Sequence, residues 1–123
     1  MTFIDSVILI DAIDGVDPFR TAARSLLPRP GGLHASEIIL AEVLVGPLRK
    51  MRSTVDFENA LANMTLHPVT ADILRHAAKL RALYGLKTPD AIHAATALDA
   101  GATEFVTRDP AFARVPGLLF TSP

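Results

Sequence analysis

Residues 88–112 read TPDAIHAATALDAGATEFVTRDPAF: a helix-forming run, a glycine break, then a short apolar segment that ends on an acid. Thr88 suits a helix cap and Pro89 the first helical turn, where a missing proline N–H costs nothing. The alanines behind Asp90 make a thin helix that can lie close against a sheet. EFVT (104–107) has the length and composition of a short buried strand. A helix that feeds such a strand is the unit of an α/β layer fold with a largely parallel sheet.

Working outward, the same alternation recurs. TADILRHAAKLRALYG (70–85) reads as a helix capped by Thr70, with Asp72 near its positive end and Ile73, Ala77, Leu80 and Tyr84 as the apolar stripe. LHPV (66–69) reads as a short strand. STVDFENALANM (53–64) forms an amphipathic helix through Phe57, Leu61 and Met64. SEIILAEVLVGPL (36–48) runs from a Ser36 cap to a Gly46–Pro47 stop, and GGLHAS (31–36) is a glycine turn into a strand. In DPFRTAARSLLP (17–28), Pro18 takes a first helical position behind Asp17, and Phe19, Ala22, Ala23, Leu26 and Leu27 share a face. TFID (2–5) is a first strand, SVILIDAI (6–13) either extends it or turns helical, and a last strand falls near GLLF (117–120). No repeat, linker or low-complexity tract interrupts the pattern, so residues 1–123 are expected to form a single domain.

Composition bounds the function. Mean hydropathy is +0.33, yet no apolar run approaches the roughly 20 residues of a membrane span. MTFIDSV has no basic region ahead of an apolar stretch, so no signal peptide is expected and a cytoplasmic location is the default. The absence of cysteine excludes disulfides, thiolate catalysis and cysteine-bound metal centres. A net charge of −1 gives no basic field to attract nucleic acid. A carboxylate cluster that binds divalent cations inverts its local sign, however, so the partner stays open.

Most of the 13 acids sit where water reaches them: Asp56, Glu58, Asp72 and Asp99 on polar helix faces, Asp14 and Asp17 in a turn. Asp5, Glu42, Asp90 and Asp109 break that pattern. Asp5 ends one apolar strand and Asp109 follows another, Asp90 heads the alanine-rich helix, and Glu42 stands among Ile39, Leu40, Val43 and Leu44. Taken singly, Asp5, Asp90 and Asp109 have local explanations as caps or turn residues. Glu42 does not, because an unpaired carboxylate in an apolar stripe costs several kcal/mol. In a parallel α/β sheet the strand C-termini gather on one edge, where ligands bind. Asp5 and Asp109 leave their strands toward that edge, and Asp90 can face it. Carboxylates converging there repel one another unless divalent cations bridge them. An all-oxygen set suits Mg²⁺ or Mn²⁺, and metals so held serve phosphodiester cleavage.

FIDSVILI (3–10), SEIILAEVLVG (36–46), TPDAIHAATAL (88–98) and FVTRDPAF (105–112) resemble, in order and spacing, the motif blocks of PIN domains of the VapC toxin group. The resemblance spans essentially the whole chain. It implies a three-layer α/β/α sandwich around a central, mainly parallel sheet. It implies Asp5, Glu42, Asp90 and Asp109 as catalytic, metal-binding acids, with Ser6 and Thr107 in support. The first block usually reads D-[ST]-[NS]-V, whereas here Ser6 is followed directly by Val7 and Ile8, which removes a polar contact at position 7. The implied activity is a Mg²⁺- or Mn²⁺-dependent endoribonuclease that leaves 5′-phosphate and 3′-hydroxyl ends. The implied partners are an RNA substrate, a VapB-like antitoxin and a second copy in a homodimer, with no membrane.

Other features fit this reading less specifically. Ile38, Ile39, Leu40, Val43, Leu44, Val45 and Leu48 wrap more than one helix face, which suits a partner groove. Arg49, Lys50 and Arg52 suit a solvated loop more than an RNA-phosphate contact, and Arg108 either a phosphate contact or a surface ion pair. His93 reads as a structural residue rather than a proton shuttle, and His34, His67 and His76 lack the spacing of a zinc site. A catalytically silent PIN-like module that binds RNA or antitoxin is the alternative. A receiver-type phospho-acceptor ranks below both, since Ser6 follows Asp5 where an acidic pair is wanted and LLFTSP has no lysine.

Overall fold

The computed structural model describes residues 1–123. Strand β1 (Thr2–Ile4) leads into helix α1 (Ser6–Asp14), then α2 (Phe19–Arg24), β2 (Leu33–Ser36), α3 (Ile39–Arg49) and α4 (Val55–Ala62). Strand β3 (Thr65–His67), helices α5 (Ala71–Tyr84) and α6 (Thr88–Ala100), β4 (Glu104–Val106), a 3-10 turn (Pro110–Arg114) and β5 (Phe120–Thr121) complete the chain. The strands form one sheet in the order β3-β2-β1-β4-β5, and every pairing is parallel.

Side chains alternate across the pleat and so build two cores. Phe3 and Phe105 point to one face, where they pack with Ala91, Ala94, Ala95 and Phe112 beneath α5 and α6. Ile4 and Val106 point to the other, against Ile8, Leu9, Ile39, Val43 and Phe57. Helices on both faces make the expected α/β/α sandwich. Ala91, Ala94, Ala95 and Ala97 of α6 have no exposed surface, because their short side chains let that helix settle onto the sheet.

Several boundaries differ from expectation, each for a local reason. SVILIDAI is helical: Asp5 ends β1, and its Oδ1 accepts the Ile8 N–H at 3.4 Å, starting α1. Ser36 is the last residue of β2 rather than a cap, though its hydroxyl still accepts the Ile38 N–H at 3.3 Å. Gly46–Pro47 does not stop α3, which continues to Arg49 with Pro47 inside it. Proline forfeits one helical hydrogen bond, but Pro47 is buried and the turn beyond is closed by the Arg52 N–H on its carbonyl at 2.8 Å. Thr88 is already helical, and Lys87 holds the cap position without a side-chain bond. Pro18 lies one residue ahead of α2, and Asp17 does the capping, accepting from the Thr21 N–H at 3.0 Å. Thr70 caps α5 as expected, accepting the Ile73 N–H at 3.2 Å. No helix is long and apolar enough to cross a membrane.

Since β1 and β4 are parallel neighbours with Ile4 beside Val106, the residues that follow them emerge side by side. That adjacency sets Asp5 against Thr107 and brings Asp109 to the same edge.

Candidate active site

Asp5 is the deepest carboxylate at this edge. Its Oδ1 takes the Ile8 N–H and its Oδ2 accepts the hydroxyl of the fully buried Thr107. The Thr107–Asp5 bond ties the ends of β1 and β4 together, and Thr107 Oγ1 in turn accepts the Asp109 N–H at 3.0 Å. Burial pushes the Asp5 carboxyl up to about 6, and the bond from Thr107 only partly opposes it. Asp109 caps the 3-10 turn, its Oδ1 accepting the Ala111 N–H at 2.9 Å. Asp90, half-buried in the first turn of α6, is also pushed up, first by burial and then by the negative charges of Asp109 and Glu42.

Asp5, Ser6, Asp90 and Asp109 line one cavity of about 380 Å³, with Arg108 as its only basic residue. Thr107 lies beneath as a brace. Glu42 stands apart from this cavity. Its Oε1 is hydrogen-bonded to His93 Nε2 across α3 and α6, and it lines a neighbouring cavity of about 240 Å³ with Lys50 and Arg52. Its charge still reaches Asp90, so it sits behind the cluster rather than inside it. His93 is buried and braces Glu42, while its Nδ1 has no partner. The tautomer with its proton on Nε2 satisfies Glu42 without burying an unpaired N–H.

Asp11 was not singled out from the sequence. It lies buried in α1, where Arg108 forks onto it: Nε to Oδ2 at 2.7 Å and Nη2 to Oδ1 at 3.1 Å. The same guanidinium lies over the Phe19 ring at 4.1 Å. An acid inside the apolar run SVILIDAI carries the same signal that marks Glu42 in its helix. Arg108 is thus both an ion-pair member and a wall of the acid cavity.

The donors fit a hard divalent cation in kind. They are oxygens only, and the raised Asp5 and Asp90 carboxyls are groups whose ionised forms a cation would stabilise. As the side chains stand, no three of them are close enough to hold one ion together. Two oxygens at the cavity are already engaged as helix and turn caps, on Asp5 and Asp109.

The family profile described as PIN domain matches residues 2–118. The chain belongs to the PIN domain family. This PIN domain is similar to a solved toxin–antitoxin complex from Klebsiella pneumoniae, with 31% identity over 96% of this chain and 95% of that one and a TM-score of 0.79. It shares the fold of VapC20 of Mycobacterium tuberculosis, a sarcin-ricin loop cleaving toxin, at 18% identity and TM-score 0.81 over 100% of both chains. It also shares the fold of VapBC2 from Rickettsia felis, solved with a DNA fragment from the promoter, at 20% identity and TM-score 0.78 over 98% and 97% of the two chains. No curated protein matches this PIN domain in sequence. The fold and the PIN resemblance expected from the motif blocks are therefore both established.

Proposed function

We propose that this PIN domain is the toxin of a VapBC-type toxin–antitoxin pair, a cytoplasmic Mg²⁺- or Mn²⁺-dependent endoribonuclease. The observation that carries the reading is the convergence of Asp5, Asp90 and Asp109 on one cavity at the C-terminal edge of β1 and β4. Membership of the PIN family and 31% identity to a chain of a toxin–antitoxin complex support it.

Asp5, Asp90 and Asp109 are the residues that would hold the cation, with Glu42 behind them. When bound, the cation supplies charge neutralisation and a more acidic water. The chain's own contributions are distinct. Thr107 fixes the rotamer of Asp5 by donating to Oδ2. His93 holds one Glu42 oxygen, leaving the other without that bond. Arg108 offers the cavity its one set of cationic N–H donors for a phosphate. Lys50 and Arg52, beside Glu42, extend basic character along the other flank. Ends bearing 5′-phosphate and 3′-hydroxyl follow from the resemblance.

The antitoxin is assigned to the outer face of α3. Leu40, Ala41, Leu44, Val45, Leu48 and Arg49 line an open groove of about 560 Å³ there, and Met51 beside it is 95% exposed. Apolar surface of this kind suits a partner helix. The homodimer implied by the resemblance is part of the same proposal and is read by light scattering of the purified chain.

A second reading, a catalytically silent module that binds RNA or antitoxin, draws on one observation: no three carboxylates are placed to share an ion. Sequencing RNA ends after expression of the chain separates the two. New 5′-phosphate ends, absent with Asp5→Asn, support the nuclease. An unchanged end profile with the unsubstituted chain supports the silent module.

A further inference from the structure

Beside the acid cavity lies a second one, of about 420 Å³, lined by Pro18, Phe19, Ala22, Arg108, Ser122 and Pro123. Arg108 is the residue common to both. Phe19 is 42% exposed, whereas Ala23 and Leu26 further along the same segment are buried. One side of its ring is occupied by the Arg108 guanidinium. That guanidinium is not free to wander, because the buried Asp11 takes two of its five donors in a fork. The fork to Asp11 fixes the guanidinium, so its remaining N–H groups act as aimed donors.

We propose that Pro18, Phe19 and Arg108 form a subsite for one unpaired RNA nucleotide next to the scissile phosphodiester, with Asp11 as the positioning residue of Arg108. The proposal rests on the nuclease reading above. A cavity of this size buries a small-molecule-sized group; a single nucleotide fits that class, and a base pair with two backbones does not. An aromatic ring with one face covered by an arginine plane can still take a base on its other face. A base inside a duplex offers no free face to it, so the nucleotide must come from a loop, bulge or end. Arg108 then spans the step: its plane belongs to the base side and its spare donors to the phosphate side, over the acids. The deletion of that ring is expected to weaken RNA binding more than it slows the bound complex, the mark of a subsite away from the reacting bond.

The test uses the full chain with Asp90→Asn, to prevent cleavage, and a stem-loop RNA with 2-aminopurine in the loop. Binding is followed by anisotropy and by the fluorescence of the modified base, in Mg²⁺. Phe19→Ala is expected to weaken binding about tenfold or more, the scale of one lost base stack, and to relieve the quenching of the base. Phe19→Tyr retains both signals, and the fully paired duplex of the same sequence binds weakly with or without the ring. Equal affinity and equal quenching in Phe19→Ala overturn the subsite. So does a chain that cuts the RNA with the same KM with and without the Phe19 ring, and in that case the nuclease reading survives. A chain that neither binds nor cuts any RNA overturns the nuclease reading and the subsite together.

Discussion

Asp5 and Asp11 are equally buried, each 6% exposed, and lie less than two helical turns apart on the same segment, yet their surroundings are opposite. Asp11 faces a guanidinium that matches its two oxygens in a fork. Asp5 has only neutral donors, the Thr107 hydroxyl and the Ile8 N–H, and burial pushes it up to about 6. On the proposed function, the pair separates a structural acid, Asp11, from a catalytic one, Asp5. Burial alone does not mark a site, since both acids are buried. A buried carboxylate that lacks a fixed cationic partner and opens onto a cavity does.

The contrast can be broken most forcefully at the cluster. Asp90→Asn is expected to abolish RNA cleavage while raising the Tm of the metal-free protein, because it removes a charge that Asp109 and Glu42 repel. Loss of cleavage with a lowered Tm would instead make Asp90 a structural acid. On the other side of the comparison, Arg108→Leu leaves Asp11 buried without its partner and is expected to cost about 3 kcal/mol, read by urea unfolding. Asp11→Leu should cost less, since the half-exposed Arg108 can turn to water.

The two acids should also answer pH and metal differently. Asp5 titrates higher in the fold than unfolded, so its contribution to stability is present below the ordinary carboxylate range and lost as pH rises through about 6. A divalent cation takes the ionised form. Mg²⁺ is therefore expected to raise Tm more at roughly pH 8 than at roughly pH 5, with no such rise in Asp90→Asn. Thr107→Val, which removes the donor to Asp5 Oδ2, should weaken Mg²⁺ affinity by about 10- to 100-fold, as loss of a ligand's outer partner does. The smallest effect on the fold belongs to Leu48→Glu on the α3 groove. It should change stability by no more than about 0.5 kcal/mol and leave cleavage intact, while a pull-down with the cognate antitoxin loses its signal.

Much of this was legible in the sequence because it is local or fixed by sheet topology. The alternation of helix and strand, the Thr70 cap, the apolar stripes and the gathering of Asp5, Asp90 and Asp109 at one edge follow from spacing and from the parallel-sheet rule. What was not legible depends on partners far apart in the chain. Asp11 finds Arg108, and Glu42 finds His93, only after the helices dock. Glu42 could be flagged as anomalous from its apolar neighbours, but its place behind the cavity is set where α3 and α6, from opposite faces of the sheet, meet through the Glu42–His93 bond. Pro47 reads as a stop in isolation and is absorbed because its ring is buried and its carbonyl closes the following turn. His93, read as structural, does brace an acid, though the acid is one expected at the site.

On the proposed function, Asp5 belongs to a cation-dependent RNA-cleaving cluster and Asp11 does not. RNA cleavage by the purified chain across a Mn²⁺ titration tests it most directly, with Asp5→Asn as the comparison and circular dichroism to show that both are folded. The expected result is cleavage that rises with Mn²⁺, disappears in chelator and is absent from Asp5→Asn at every concentration. Equal cleavage by the folded Asp5→Asn protein, or cleavage that persists unchanged in chelator, would contradict the account.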